Sequence, residues 1–73
     1  MNNQVHPIPR LQLSYAVTAE ALDIPQSTLE HECRLGRGPT FFTVGRRKYT
    51  TVELIREWQA RKIAEAIASG DAV

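Results

Sequence analysis

A tight turn between two short helical segments most restricts how this chain can fold. The turn has the sequence Leu22-Asp23-Ile24-Pro25. Proline disfavours helical geometry at the residue before it and suits the first turn of the next helix. Aspartate tolerates the left-handed conformation that tight turns need. The sequence therefore predicts that one helix ends near Leu22, that a second begins near Pro25, and that Ile24 lies between them as an apolar plug.

Both predicted helices have an apolar face. The first helix begins near Ser14, whose hydroxyl can accept hydrogen bonds from the free N–H groups of a helix start. Its apolar residues recur at helical spacing and are Tyr15, Ala19 and Leu22. The second helix is predicted over residues 25–35, and its inner residues are Leu29, Cys33 and, near the end, Leu35. Two helices of this size joined by a short turn form a helix-turn-helix unit.

A β-hairpin is predicted after the second helix. Residues 39–44 and 48–50 are rich in β-branched and aromatic side chains, which favour strands. Gly45 lies between these segments and is followed by Arg46 and Arg47. Glycine at a turn position between two short strands is typical of a hairpin. We therefore expect a short hairpin, or wing, with both arginines at its tip.

The last helix is predicted to begin at Thr50 or Thr51 and to end at Gly70. The residues that its first half directs to the core are Leu54, Ile55 and Trp58. A second apolar set lies on nearly the opposite side, at about 100° per residue, and consists of Ala60, Ile63, Ala64 and Ile67. This set is either the frayed, alanine-rich end of the helix or a self-association surface for another copy of the chain.

Charge is unevenly distributed along this chain of net charge +1. Residues 34–49 contain five arginines and lysines and no acid, whereas residues 20–32 contain four acids and no arginine or lysine. A basic patch on a nearly neutral protein favours a local contact with a polyanion. The alternative is a solvated basic loop.

Other classes of protein are excluded by what the sequence lacks. A single cysteine allows no internal disulfide, and His6 and His31 have no companion ligands at a spacing that suits zinc. There is no pairing of nucleophile and base, no phosphate-binding glycine loop and no set of metal ligands, so neither an enzyme nor a cofactor is expected. No apolar run approaches the ~20 residues of a membrane span, and residues 1–4 do not begin a secretory signal. A cytoplasmic protein is the resulting expectation.

The order helix, turn, helix, hairpin, helix resembles the excisionase and AlpA-like branch of the MerR-like winged helix proteins. That branch includes recombination directionality factors of phages and integrative elements, and small phage-type regulators. The resemblance extends over residues 13–58. The residues that carry it are Ala19, Leu22, Ile24, Ser27-Thr28-Leu29, Gly38-Pro39, Val44-Gly45-Arg46-Arg47, Tyr49 and the segment 54–58.

The resemblance implies a fold that is mainly α with a small β-hairpin, a winged helix-turn-helix. Residues 1–10 are predicted to be a flexible arm, because Pro7 and Pro9 disfavour helix. The DNA-binding domain is then expected over residues 11–59, and an extension of the last helix with a tail over 60–73. The chain departs from the family pattern at Glu30 and His31, where family members commonly have an aromatic and a basic residue. The second helix is therefore less basic than in the family, and the wing is expected to supply more of the attraction to DNA.

In such a fold the second helix enters the major groove and the wing lies against the minor groove or the backbone. The residues expected to face the bases are Gln26, Ser27, Thr28, Glu30 and His31. Glutamine can pair with adenine and glutamate can accept from cytosine N4. The residues expected to hold phosphates are Arg34, Arg37, Arg46, Arg47 and Lys48. The alternative is that Glu30 and His31 are ordinary exposed side chains and that Thr28 serves only to begin its helix.

Three roles with double-stranded DNA as partner share this interface. One is an excisionase that directs an integrase or other recombinase, and one is a small transcription regulator of a phage or integrative element. The third is the DNA-recognition domain of a phage packaging subunit. Self-association on DNA would strengthen the binding of so small a module. Outside this class stands a protein-interaction module whose basic wing contacts an acidic partner.

Overall fold

The computed structural model describes residues 10–71, and these are mainly helical with one two-stranded hairpin. The elements are α1 (Tyr15–Leu22), α2 (Gln26–Arg34), β1 (Phe42–Val44), β2 (Arg47–Tyr49) and α3 (Val52–Ser69). This is the element order that the sequence predicts. The predicted flexible arm lies outside the described residues except for Arg10, which is exposed and belongs to no helix or strand.

The turn between α1 and α2 confirms the prediction made for Asp23. This residue has φ 59° and ψ 44°, the left-handed conformation. Its N–H donates to the Glu20 carbonyl at 3.1 Å, and the N–H of Ile24 donates to the Ala19 carbonyl at 3.0 Å. These bonds satisfy carbonyls that a helix end otherwise leaves open. Pro25, expected within the first turn of the next helix, instead precedes it in an extended conformation.

Side-chain hydroxyls cap the N-termini of the other two helices. Ser14 Oγ accepts from the Val17 N–H at 3.3 Å and caps α1, as predicted. Of the two threonines considered for the start of α3, Thr51 is the cap, because its Oγ1 accepts from the Leu54 N–H at 3.1 Å. Thr50 is buried and donates its hydroxyl to the Thr40 carbonyl at 2.7 Å, so it serves the hairpin rather than the helix.

The core is small and is formed where the helices meet. Its buried apolar side chains are Ala19, Leu29 and Ile55, and Pro39 is buried as well. Cys33 is half-buried on the predicted inner face of α2. The prediction that Leu35 faces inward is wrong, since this side chain is 51% exposed. Leu35 lies six residues after Leu29, about 240° around a helix of 3.6 residues per turn, and so misses the inner face.

The hairpin has a shorter loop than the sequence suggests. Val44 pairs with Arg47, which makes Arg47 the first residue of β2 rather than part of the tip. The loop therefore consists of Gly45 and Arg46 alone. Gly45 has φ 63° and Arg46 does not have positive φ, as in the two-residue turns whose twist matches that of the strands. An isolated antiparallel bridge between Leu13 and Thr50 joins the end of the hairpin to the start of α1.

Helix α3 is continuous across the boundary predicted at residue 59. Its first half packs through Ile55, with Leu54 and Trp58 half-buried. Its second half is exposed on most sides, and only Lys62 and Ala66 are half-buried there. Gly70, at φ 80°, ends the helix as predicted. None of the helices in residues 10–71 has the length and apolar character that crossing a membrane requires.

Gly38 permits a close contact between the loop after α2 and the helix itself. A Cβ at this position would lie 2.6 Å from Cys33 Sγ and 3.1 Å from the backbone nitrogen of Cys33. Gly38→Ala is therefore expected to lower the free energy of unfolding by about 1–3 kcal/mol, the usual cost of overpacking. Denaturant unfolding measures this loss. In a Cys33→Ala background the loss should be smaller, and an equal loss in both backgrounds would contradict the proposed clash.

Candidate nucleic-acid interface

The predicted base-contacting residues lie along the outer side of α2. The exposed members of this set are Gln26, Ser27, Thr28 and His31, and Glu30 is half-buried. Arg34, predicted to hold phosphate, is exposed in the last turn of the same helix. By helical spacing, Ser27, His31 and Arg34 lie opposite the core residue Leu29, whereas Gln26 and Glu30 lie at the edge of this polar side.

Two of these residues form a pair. The Gln26 amide donates from Nε2 to Glu30 Oε2 at 2.7 Å, one helical turn along α2. The bond holds both side chains toward each other and leaves Gln26 Oε1 and one carboxylate oxygen of Glu30 as acceptors. The pair was not predicted from the sequence, although the i, i+4 spacing of the two residues is the signal that could have shown it.

The hairpin brings its basic residues to the beginning of α2. A concavity of about 400 Å³ is open between the start of α1, the start of α2 and the hairpin. The residues that line it are Ser14, Tyr15, Ala16, Gln26, Arg46, Arg47 and Lys48. Three of the predicted phosphate-binding residues thus share one surface with a predicted base-contacting residue. No acidic residue is among those lining it.

The start of α2 adds backbone donors near this concavity. Pro25 precedes the helix and no side chain of the described residues caps it. The first bond of the α-helical ladder runs from the Leu29 N–H to the Pro25 carbonyl at 3.1 Å. The N–H groups of the first turn are therefore left to solvent or to a ligand.

Comparisons of this chain with protein-family models, with curated proteins and with solved structures find no match. A function therefore has to be argued from the side chains and the surfaces they form. Within residues 10–71, no group of three histidine, cysteine or acidic side chains could hold a metal ion.

Arg37 differs from the other residues predicted to hold phosphate, because its side chain forms an ion pair with Glu32. Its guanidinium donates to both carboxylate oxygens of Glu32, at 3.1 Å from Nε and 2.9 Å from Nη2. These bonds hold the pKa of the Glu32 carboxyl below its usual range. The Arg37 carbonyl in turn accepts from Trp58 Nε1 at 2.7 Å. Arg37 thus links the end of α2 to α3, which the sequence pattern did not reveal. The other four residues predicted to hold phosphate form no ion pair within residues 10–71.

An aromatic stack helps to place the hairpin. The rings of Tyr15 and Phe41 stack with centroids 4.2 Å apart at an interplanar angle of 24°. Burial is the main cause that raises the pKa of the Tyr15 hydroxyl. Because Tyr15 begins α1 and Phe41 immediately precedes β1, the stack fixes the hairpin beside the helices. Tyr15 also lines the concavity, and nothing in the sequence pattern distinguished it from an ordinary core residue.

The lone thiol is not part of this surface. Cys33 Sγ lies 3.7 Å from the Pro39 carbonyl oxygen in a weak hydrogen bond. Burial raises the pKa of the thiol, and the nearby acids Glu30 and Glu32 raise it further. A thiol of raised pKa is a poor nucleophile at neutral pH. These observations agree with the interpretation of Cys33 as a packing residue.

The apolar set predicted on the second half of α3 is exposed. Ile63 is 60% exposed and Ile67 is 65% exposed, and Ala60 and Ala64 are exposed with them. We call these four residues the outer face of α3. Their spacing places them on nearly the opposite side of the helix from its core residues. No residue of α3 lines the concavity between hairpin and α2.

Proposed function

We propose that this chain is a winged helix-turn-helix protein that binds double-stranded DNA. Helix α2 would enter the major groove, and the β1–β2 hairpin would act as a wing against the adjacent backbone or minor groove. The order of the elements is compatible with this fold.

One observation carries the proposal: the wing and the start of α2 share a concave surface with three basic side chains. Arg46, Arg47 and Lys48 approach it from the hairpin, and Gln26 approaches it from the helix. A duplex presents a ridge of phosphates between its major and minor grooves, which a concave basic surface suits. Contacts to phosphate fix position and orientation, whereas contacts to base edges determine sequence preference. The concavity would therefore position α2 for contact with the bases.

The outer side of α2 offers suitable groups for such contacts. Glutamine can bind the N7 and N6 atoms of adenine, and a carboxylate can accept from cytosine N4. Gln26 and Glu30 carry these groups side by side. Ser27, Thr28 and His31 extend the same polar side, and Arg34 would contact phosphate at the end of the helix.

Within DNA binding we propose an architectural role, as an excisionase that assists an integrase at the site of recombination. A module with few phosphate contacts and no catalytic set is suited to positioning or bending DNA for another protein. A transcription regulator would use the same interface. Gel phasing of a bound site and an excision assay with an added integrase distinguish the two roles. A straight site and unchanged excision would remove the architectural role and leave DNA binding intact.

Duplex binding is expected to weaken steeply with salt. If Arg34, Arg46, Arg47 and Lys48 each neutralise one phosphate, log K should fall with log salt at a slope of about −3.6, or roughly 12-fold between 0.1 and 0.2 M. Fluorescence anisotropy of a labelled duplex at several salt concentrations measures this slope. Absence of duplex binding at low salt would refute the proposal and favour a protein-interaction module.

A further inference from the structure

We propose that the Tyr15 hydroxyl donates a hydrogen bond to a phosphate of the DNA backbone, where a second concavity adjoins the one already described. The contact presupposes the proposed DNA binding, and it adds a neutral donor to the basic residues assigned to phosphate. The sequence pattern placed Tyr15 on the apolar face of α1 and predicted no role for it beyond packing.

The second concavity has a volume of about 320 Å³ and lies between the loop after α2 and the hairpin. Tyr15 and Lys48 line it, and both residues also line the concavity at the start of α2. They therefore stand at the boundary between the two hollows. No acidic residue is among those lining either one. A polyanionic strand that occupies both hollows has to pass these two side chains.

The Tyr15 ring is held in place before any ligand binds. It stacks on Phe41 with ring centroids 4.2 Å apart, and both residues are half-buried. Ser14, one residue earlier, caps α1 and fixes the backbone at this point. A side chain that is already fixed loses little conformational freedom on binding. The hydroxyl can therefore contribute more to affinity than the same group on a free surface side chain.

The hydroxyl lies within electrostatic reach of α2. Burial is the main cause of its raised pKa, the charges of Cys33 and Glu30 raise the pKa further, and the charge of Arg34 lowers it. Glu30 and Arg34 are both among the residues predicted to contact DNA. Because its pKa is raised, the hydroxyl keeps its proton at neutral pH, as a donor to a phosphate oxygen must.

A backbone phosphate is the acceptor that suits this position. Tyrosine is one of the side chains that donate to phosphate in protein–DNA complexes. Lys48 is exposed at the same boundary and Arg34 is exposed on α2, so two positive charges oppose the repulsion between Glu30 and a phosphate. Such a contact fixes where α1 and α2 lie along the strand and carries no sequence preference of its own.

Tyr15→Phe tests the contact on the full chain, because it removes the hydroxyl and keeps the aromatic stack. Affinity for duplex DNA should fall about tenfold, the effect of losing one hydrogen bond to a charged group. The fall should be the same for a preferred site and for unrelated DNA. The salt slope should stay unchanged, since a neutral donor releases no counterion. Fluorescence anisotropy at several salt concentrations measures all three.

Tyr49→Phe is the matched control. Tyr49 is a half-buried tyrosine of β2 that pairs with Phe42 and lines neither concavity. Its variant should bind duplex DNA as the wild type does. Thermal unfolding of both variants checks that the loss of a hydroxyl leaves the fold intact.

A scan of the bound duplex with single methylphosphonates, which replace one charged phosphate oxygen by a methyl group, shows whether the hydroxyl acts on phosphate. At one position the loss of affinity should be about tenfold smaller for Tyr15→Phe than for the wild type, because the variant has no donor left to lose there. Equal sensitivity of the two proteins at every position would overturn the proposal, and so would wild-type affinity of Tyr15→Phe. Either result leaves duplex binding itself in place. Absence of duplex binding by the wild type at low salt would instead refute the proposed function, and the Tyr15 contact with it.

Discussion

Replacement of both Arg46 and Arg47 by alanine is expected to weaken duplex DNA binding roughly 60-fold at 0.1 M salt, since each lost phosphate contact removes about 0.9 from the salt slope. The salt slope should become shallower by about 1.8 for the same reason. The difference between variant and wild type should shrink as salt is raised toward 1 M. Anisotropy titrations of both proteins at four salt concentrations measure the affinity and its slope together.

A matched control removes two positive charges at a distance from the concavity. Arg61→Ala with Lys62→Ala lowers the net charge by the same amount on α3. Its effect on affinity should be several-fold smaller, because these residues are not on the proposed interface. The wing should stay folded in the test variant, since its turn depends on Gly45 and its strands on backbone pairing. Equal losses in the two double variants would indicate a diffuse charge effect and no specific role for the wing.

Short-range features of the fold could be predicted from the sequence because local chemistry determines them. Ser14 caps α1, Asp23 adopts the left-handed conformation, and Gly70 ends α3, each as predicted. All three depend on hydrogen bonds and backbone sterics within a few residues. Helix bounds and element order follow from such signals, and they hold even in a chain that buries few side chains.

Features that depend on register or on distant partners were predicted less well. Arg47 was predicted at the tip but lies in β2, because a shift of one residue in register changes where a hairpin turns. Leu35 was placed inside by its hydrophobicity, but the angle around α2 leaves it exposed. Thr50 joined the hairpin because a carbonyl ten residues earlier, that of Thr40, was available to it.

The candidate site shows the same division. The sequence identified which residues carry the charge and the polar groups, since composition along residues 26–48 is visible directly. It did not show that the Arg37 carbonyl would accept from Trp58, because that bond joins residues 21 positions apart. Nor did it show the stack of Tyr15 on Phe41, which sets the position of the wing. The Arg37–Glu32 pair is local and could have been considered from the sequence. Charge was predictable, but the relative position of wing and helix was not.

The Gln26–Glu30 hydrogen bond leads to a second prediction, that the two residues act as one unit in sequence preference. Gln26→Ala should reduce the preference for adenine at one position of the site by about 1–3 kcal/mol, the usual range for a bidentate base contact. Glu30 also orients the Gln26 amide. Glu30→Ala should therefore weaken the same preference for adenine, together with a preference for cytosine at a neighbouring position. Selection from a randomised duplex library, followed by sequencing, measures both preferences.

The double variant shows whether the residues are coupled. If Glu30 acts through Gln26 at the adenine position, the loss in the double variant equals that of Gln26→Ala alone, whereas independent residues give the sum. Glu30→Ala also removes a negative charge from the groove side of α2, so its affinity for unrelated DNA should rise. Glu20→Ala, which removes an exposed acid from α1, is the control for that gain and should leave sequence preference unchanged. Additive losses would show that the two side chains contact DNA separately. Unchanged preferences in all variants, with duplex binding retained, would leave the phosphate contacts of the wing as the main source of affinity and move base recognition to Ser27, Thr28 and His31.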